Sequence, residues 1–264
     1  MTVDDKTPIL VGSGQYVERE ATLNPPMHLA AQASAAAIAD TGGIDVAAAI
    51  DTIAVVKIFS DSARMWACPF GGSDNPPESI ARRLGIGPGK RIYSLATGAE
   101  PLKIMAELMG NISRGEIKAA LLTGAEAIAS QRHAQRNGIE LDWSEQTGQP
   151  MDDRGMEQTV ASRQEILSGM YLPAHYYALI ENCRARQQDR SPQQHRKHMA
   201  DLFASVSEVA NRNPYAFWQQ QQHSSAELLA DGRDNYPISL PYTRRLVAQD
   251  AVNQAAALVL TSVG

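Results

Sequence analysis

The sequence predicts an α/β fold, a mixed or parallel sheet flanked by helices, with a mainly helical insertion. Three observations predict it. Short apolar, β-branched runs alternate with helical patterns up to about residue 130. From Gln131 to residue 236 the chain is polar, rich in Arg, Gln and His, and carries no convincing strand. After Pro237 the α/β character returns. The core is therefore expected over 1–130 and 237–264, and a helical lobe over 131–236. An insertion of roughly a hundred residues is too long to be a purposeless loop.

The elements follow in order. TPILVGSGQ (7–15) is an apolar run closed by Gly12 and Gly14, expected as a buried strand entering a loop. MHLAAQASAAAIAD (27–40) is an alanine-rich helix that stops at Thr41-Gly42-Gly43. So much alanine predicts close packing of that helix against a sheet or another helix. DTIAVVKIFS (51–60) reads as a second strand, Trp66 to Pro77 as a loop, and PESIARRLGI (77–86) as a short helix. Arg91 to Leu95 is a third strand, and Pro101 suits the first position of the next helix. Met105, Leu108, Met109 and Ile112 recur there at helical spacing. KAALLTGAEA (118–127) is another buried strand. In the lobe, helices are expected over Pro173–Gln188 and Pro192–Asn213, the second with Met199, Leu202, Phe203, Val206 and Val209 as its apolar face. WQQQQH (218–223) reads as a solvated helix or loop. A last strand falls at Ala257–Thr261.

Composition excludes several classes. A net charge of −5, with no basic stripe interleaved with aromatics, argues against nucleic acid as a partner. No apolar run approaches the length of a membrane span, and the acidic start, MTVDDKTPILVGSGQ, is unlike a signal peptide. The two cysteines, Cys68 and Cys183, form no CxxC pair, so neither a disulfide framework nor a zinc site is indicated. These features predict a reduced, cytoplasmic globular protein.

Five segments resemble the thiolase superfamily, in particular its sterol-carrier-type and thiolase-like acetyl-CoA acetyltransferase branch. They are TPILVGSGQ, the Ala-rich helix with its D-T-G turn, ISRGEIKAALLTGAEAIAS, YALIENCRARQQDRSPQQHRKHMADLFASVSEVANRNPYAF with its Asn-Pro-x-Ala ending, and ISLPYTRRLVAQDAVNQAAALVLTS. ISRGEIKAALLTGAEAIAS is the most specific of them. The resemblance spans nearly the whole chain but only the first half of a thiolase. It implies a core with an inserted loop domain that covers coenzyme A, hence acyl-CoA as ligand and no covalently bound cofactor.

The resemblance also implies a nucleophilic cysteine at the turn after the third strand, in RIYSLATGAEPLKIM (91–105). Counting back from Gly115, or aligning Leu102 with the leucine after the family's C-x-x-G, puts that cysteine at Gly98; its neighbours are Thr97 and Ala99. None of the three is a cysteine, and the family's Gly-His-Pro base motif does not occur. Thiolase transfer needs a thiolate to hold the acyl group, so the usual mechanism is not expected here. Thr97 or Ser94 could serve as a hydroxyl nucleophile only beside a base; a threonine at such a turn more often caps the helix. Cys68, in WACPFGG, and Cys183, beside Arg184 and Arg186, are the remaining thiols, each read as an incidental free cysteine.

His195 and His198, at i and i+3, read as a solvated helix face rather than metal ligands, and His175 as a packing or capping residue. GSGQ at 12–15 is not a dinucleotide fingerprint. Arg132, Arg136, Arg154, Arg163, Arg184, Arg186 and Arg190 crowd the insertion; as a group they suit phosphate, singly they suit a polar surface. Two functional readings follow: an acyl-CoA-binding thiolase-like protein without cysteine chemistry, or a non-catalytic half. For either, a second copy or a separately encoded C-terminal thiolase half is the expected partner, meeting apolar side chains such as Leu29, Ile38, Met105 and Met109.

Overall fold

The computed structural model describes residues 3–20, 22–42, 45–155, 161–218 and 222–264. The chain divides into two compact units, Met1–Glu157 with Ala251–Gly264, and Gln158–Asp250. The first unit begins with β1 (Pro8–Val17), α1 (Pro26–Asp40), the single turn α2 (Val46–Ala49), β2 (Ile50–Val55) and α3 (Pro76–Leu84). It continues through β3 (Lys90–Tyr93), α4 (Glu100–Ser113), β4 (Ala119–Ala127), α5 (Ile128–Asn137) and β5 (Asp152–Asp153). The second unit holds α6 (Arg163–Leu167), α7 (Pro173–Gln187), α8 (Pro192–Arg212), α9 (Ser225–Leu229), β6 (Pro237–Ser239) and β7 (Tyr242–Thr243). The chain then returns to the first unit through β8 (Asn253–Ser262).

Six strands form a mixed sheet in the order β1-β8-β4-β2-β3-β5 among the described residues. β4, β2, β3 and β5 run parallel, while β8 pairs antiparallel with both β1 and β4. Both faces are covered, so the central strands bury side chains of both parities. Ile53, Val55, Leu121 and Val259 face one cluster with Leu29 and Ile80. Ala54, Ile92, Leu122 and Leu260 face the other, with Ile104, Leu108 and Ile112 of α4.

Gly12 and Gly14 do not end β1, as expected from the sequence; the strand runs through them to Val17. Their role is close approach. A Cβ on Gly12 would lie 2.1 Å from the Ala37 carbonyl oxygen, and one on Gly14 2.2 Å from that of Ala33. The alanines of α1 and the glycines of β1 thus bring two backbones together, as the alanine content predicts. The expectation that Leu29 would await a partner layer is corrected: Leu29 is fully buried within the chain. Ile38, Met105 and Met109 are half-buried against the two clusters.

The sequence reading set the core's limits at 130 and 237; the compact units instead meet at 157/158 and 250/251. The stretch 139–155 is held to the core by Trp143, buried in the larger apolar cluster with Leu141 and Met151 against it, and by hydrogen bonds from its polar residues. Asn75 Nδ2 donates to the carbonyls of Gln149 (3.0 Å) and Pro150 (3.3 Å). Arg83 makes a bidentate pair with Glu145, both contacts 2.8 Å, and the Thr147 hydroxyl donates to Asp74 (2.7 Å). β5 then extends the sheet beside β3. None of this leaves an apolar periodicity in the sequence.

In the second unit, capping boxes at Ser162/Glu165, Ser191/Gln194 and Ser224/Glu227 start α6, α8 and α9. The small core is Met199, Ala200, Leu228 and Leu246, with Phe203 and Tyr242 against it. The face expected for α8 is only partly the buried one. Met199 and Phe203 turn inward, but Leu202, Val206 and Val209 are exposed. Residues 219–221 of the WQQQQH patch lie outside the described residues. No helix is long and apolar enough to cross a membrane among the described residues.

Candidate functional site

In an open sheet with parallel strands, the chain leaves each strand at the same edge, and that edge is where side chains converge. Here it gathers groups from β2, β3, β4 and β5. The register sets Val55 opposite both Tyr93 and Thr123, and Tyr93 opposite Asp153. Two residues past Val55, Lys57 has a side chain only 4% exposed. Its Nζ lies 2.6 Å from Asp153 Oδ1 and 4.4 Å from the Tyr93 ring centroid. A buried ammonium needs such partners, since leaving it unpaired would be costly. Burial opposes charge on Asp153, but the hydrogen bonds from Lys57 and the Gly155 N–H outweigh it and hold the carboxyl below its usual range.

Tyr93 donates its phenol proton to Asp61 Oδ2 (2.6 Å) and accepts from the Ile58 N–H (3.2 Å). Burial, then the Asp61 charge, pushes its ionisation above the usual tyrosine value. Glu126, near the end of β4, accepts from the Phe59 N–H (2.7 Å). Burial raises it to about 7, with the Asp61 charge adding to the effect against the Phe59 hydrogen bond. A carboxyl titrating near neutrality can give or take a proton. Lys57, Asp61, Tyr93 and Asp153 line an open cleft of about 390 Å³.

Glu126 carries a pH signature. In the unfolded chain it titrates at 4.5, in the fold at about 7. Between those values the native state holds more proton than the unfolded one, so stability falls as pH rises through this window. Replacing it by Gln keeps an acceptor for Phe59 and removes the ionisation. The stability of E126Q relative to the parent should therefore improve by roughly 2 kcal/mol between pH 5 and pH 8. Urea unfolding at both pH values checks this; a pH-independent difference would refute it.

Gly98 and Ala99 are exposed at the turn between β3 and α4, and Thr97 is half-buried. The cap at Ala99 has no side-chain hydrogen bond, so Thr97 does not cap the helix through its hydroxyl, contrary to the sequence reading. It contributes its carbonyl to the Glu100 N–H (3.2 Å). A Cβ built on Gly98 meets nothing within 4 Å, and Gly98 lies outside the left-handed region. A side chain would fit there. What Gly98 withholds is chemistry, not space.

Cys68 is half-buried beside a small cavity that it shares with Glu126, Trp66 and Trp143. Burial, reinforced by Asp61 and opposed by the Phe70 backbone hydrogen bond, pushes its thiol up, away from the thiolate. Cys183 is exposed on α7. His175 does cap: its Nδ1 accepts from the N–H groups of Tyr171 and Leu172, both 3.3 Å. His195 is a correction. It is 1% exposed, not solvated, with Nε2 2.9 Å from Glu181. No cluster of three metal-ligating side chains occurs among the described residues. The arginines do not converge as a group. Arg154 is tied to Glu107 (2.8 and 3.0 Å) and to Asp152 (3.0 Å) in the first unit, while Arg184, Arg186 and Arg190 lie in the second. The sequence reading singled out none of Lys57, Asp61, Tyr93 or Asp153; their only trace was polar residues directly following strand patterns, as in VVKIFSD.

A mixed sheet, covered on both faces by helices and interrupted between β5 and β8 by a separate helical unit, is the fold of the thiolase superfamily, and this chain has that fold. The SCP2-thiolase-like protein type 1 of Mycobacterium smegmatis, a monomeric protein, is 31% identical, with a TM-score of 0.73 over 99% of this chain and 47% of that one. An Ltp2-ChsH2(DUF35) aldolase matches at 17% identity and TM-score 0.62, over 98% of this chain and 56% of that one. The acetyl-CoA acetyltransferase of Syntrophomonas wolfei matches at 17% and 0.54, over 97% of this chain and 64% of that one. The chain thus spans about half the length of the first two solved structures. No family model and no curated protein matches it.

Proposed function

We propose that this chain binds an acyl-CoA thioester at the carboxyl edge of its sheet and does not carry the acyl group on a cysteine. The observation behind this reading is the β3–α4 turn, retained in an open conformation with Gly98 where the thiolase resemblance puts the nucleophile. Around that edge, the Tyr93–Asp61 pair, the Lys57–Asp153 pair and Glu126 offer proton donors and a near-neutral carboxyl. Such groups suit polarising a thioester carbonyl or moving a proton beside it. Calorimetric titration with acetyl-CoA and longer acyl-CoA esters tests the reading, with intact-mass analysis of the same samples. Binding without an acyl adduct supports it. No affinity for any CoA ester, alone or with a second thiolase-like chain, removes it.

A second reading is a structural half that assembles with another thiolase-like chain or a second copy. It is favoured by Leu102, a large apolar side chain standing 68% exposed on α4. Native mass spectrometry separates the two readings: a monomer that binds acyl-CoA leaves only the first.

The turn itself is open to test by restoring the thiol. Gly98→Cys should fold with stability within about 0.5 kcal/mol of the parent, since nothing crowds the position. It should be alkylated at residue 98 by iodoacetamide, whereas the parent takes no label across 94–100. Peptide mapping reads both. A misfolded Gly98→Cys would show that the turn needs its glycine.

A further inference from the structure

The segment 58–68, between β2 and α3, walls two voids at the carboxyl edge of the sheet. Asp61, Ala63, Arg64 and Ala67 line the 390 Å³ cleft that also holds Lys57, Tyr93 and Asp153. Ile58, Phe59, Trp66 and Cys68 line a smaller cavity of about 60 Å³, and Ser60 borders both. The segment is fixed by its neighbours in space. The Ile58 N–H donates to Tyr93 Oη (3.2 Å), the Phe59 N–H to Glu126 (2.7 Å), and Tyr93 Oη to Asp61 (2.6 Å). Pro26 and Trp143 complete the apolar wall of the small cavity. Trp143 Nε1 donates to the Leu23 carbonyl (3.0 Å), and its ring meets that of Phe70 edge-on at 5.7 Å. Leu23 sits in the left-handed region (φ 62°), where a bulky side chain is held only by its surroundings. Held there, it leads the chain into Pro25 and Pro26.

A cavity walled by aromatic and aliphatic side chains, and bordered by a polar cleft, suits a ligand that is apolar at one end. Its volume limits that end. At about 30 Å³ for a group the size of a water molecule or a methylene, it has room for about two. We propose that this cavity receives the acyl chain of a bound thioester and selects a short one, with two carbons beyond the carbonyl, as in a propionyl group. The inference rests on the acyl-CoA reading: the thioester carbonyl lies in the cleft beside Lys57 and Tyr93, and the chain passes Ser60 into the cavity. Cys68 then sets chain length as a wall of the pocket and not as a nucleophile, in keeping with a thiol that burial holds protonated. Trp66, 48% exposed, is the wall nearest solvent.

Calorimetry on the full chain with CoA and with its acetyl, propionyl, butyryl and hexanoyl esters tests it. Propionyl-CoA should bind about threefold more tightly than acetyl-CoA, the effect of one buried methylene. Hexanoyl-CoA should bind at least about tenfold more weakly than propionyl-CoA, because the chain overfills the cavity. Cys68→Ala removes the sulfur from the wall, so butyryl-CoA should overtake propionyl-CoA. Trp66→Ala opens the pocket and should bring hexanoyl-CoA to within about threefold of propionyl-CoA, with the melting temperature at the parent value. Should Cys68→Ala unfold, Trp66→Ala decides alone. A chain-length profile that is unchanged in the folded variants overturns the proposal. So do equal affinities for CoA and all its esters, a result that leaves CoA binding itself standing. Absence of binding by every ester removes the acyl-CoA reading and this inference with it.

Discussion

Gly14→Ala should lose about 3 kcal/mol of stability or more, among the largest effects expected of one methyl group. The new Cβ would fall 2.2 Å from the Ala33 carbonyl oxygen and 2.4 Å from the Ala37 nitrogen. Both are backbone atoms of α1, so no side-chain rotation relieves the clash. Strand and helix would have to separate, and β1, β8 and α1 are the layer that buries Leu29, Ala33 and Ala37. Gly98→Ala is the control, because its Cβ meets nothing. Urea midpoints measure both. Equal midpoints would mean that α1 does not lie as close to β1 as the glycines allow.

Asn75→Ala should cost a similar amount, about 3 kcal/mol, by a different route. Asn75 is fully buried, and its Oδ1 accepts from the Glu78 N–H (3.1 Å), capping α3. Its Nδ2 serves the carbonyls of Gln149 and Pro150. Alanine removes the cap and leaves two carbonyls without their donor. Asn75→Asp tells the roles apart: it keeps the cap acceptor but cannot donate, and points negative charge at the two carbonyls. It should be at least as unstable as Asn75→Ala, with faster proteolysis within 139–150. An Asp variant as stable as the parent would show that only the cap matters.

These two residues also show where sequence reading reached and where it stopped. The alanine content of 27–40 predicted close packing, because small residues mean little else on a buried face; the glycines at 12 and 14, expected to end the strand, turned out to be the other side of that contact. The strands at 51–60, 91–95 and 118–127 were legible because both faces of the sheet are covered, and double burial writes an unbroken apolar run. The resemblance gave the thiolase-like fold from local motifs alone, and it implied Gly98 as the position of the family's thiol. By contrast, 139–155 is anchored by the lone buried Trp143 and by side-chain hydrogen bonds with Asp74, Asn75, Arg82 and Arg83, which have no period and no composition of their own.

The sequence by itself determined the class of fold, the succession β1, α1, β2, α3, β3, α4 and β4, the helices α7 and α8 with the last strand, and the absence of a cysteine at the β3–α4 turn. Those depend on contacts within or near each segment. Only the tertiary structure decided that Lys57 meets Asp153 across 96 positions, that the half-buried Glu126 accepts from Phe59, and that His195 is enclosed rather than solvated. A side chain's protonation and partners depend on what surrounds it in space. For charged residues that environment is assembled from distant segments, so the residue's own neighbours in sequence carry no record of it.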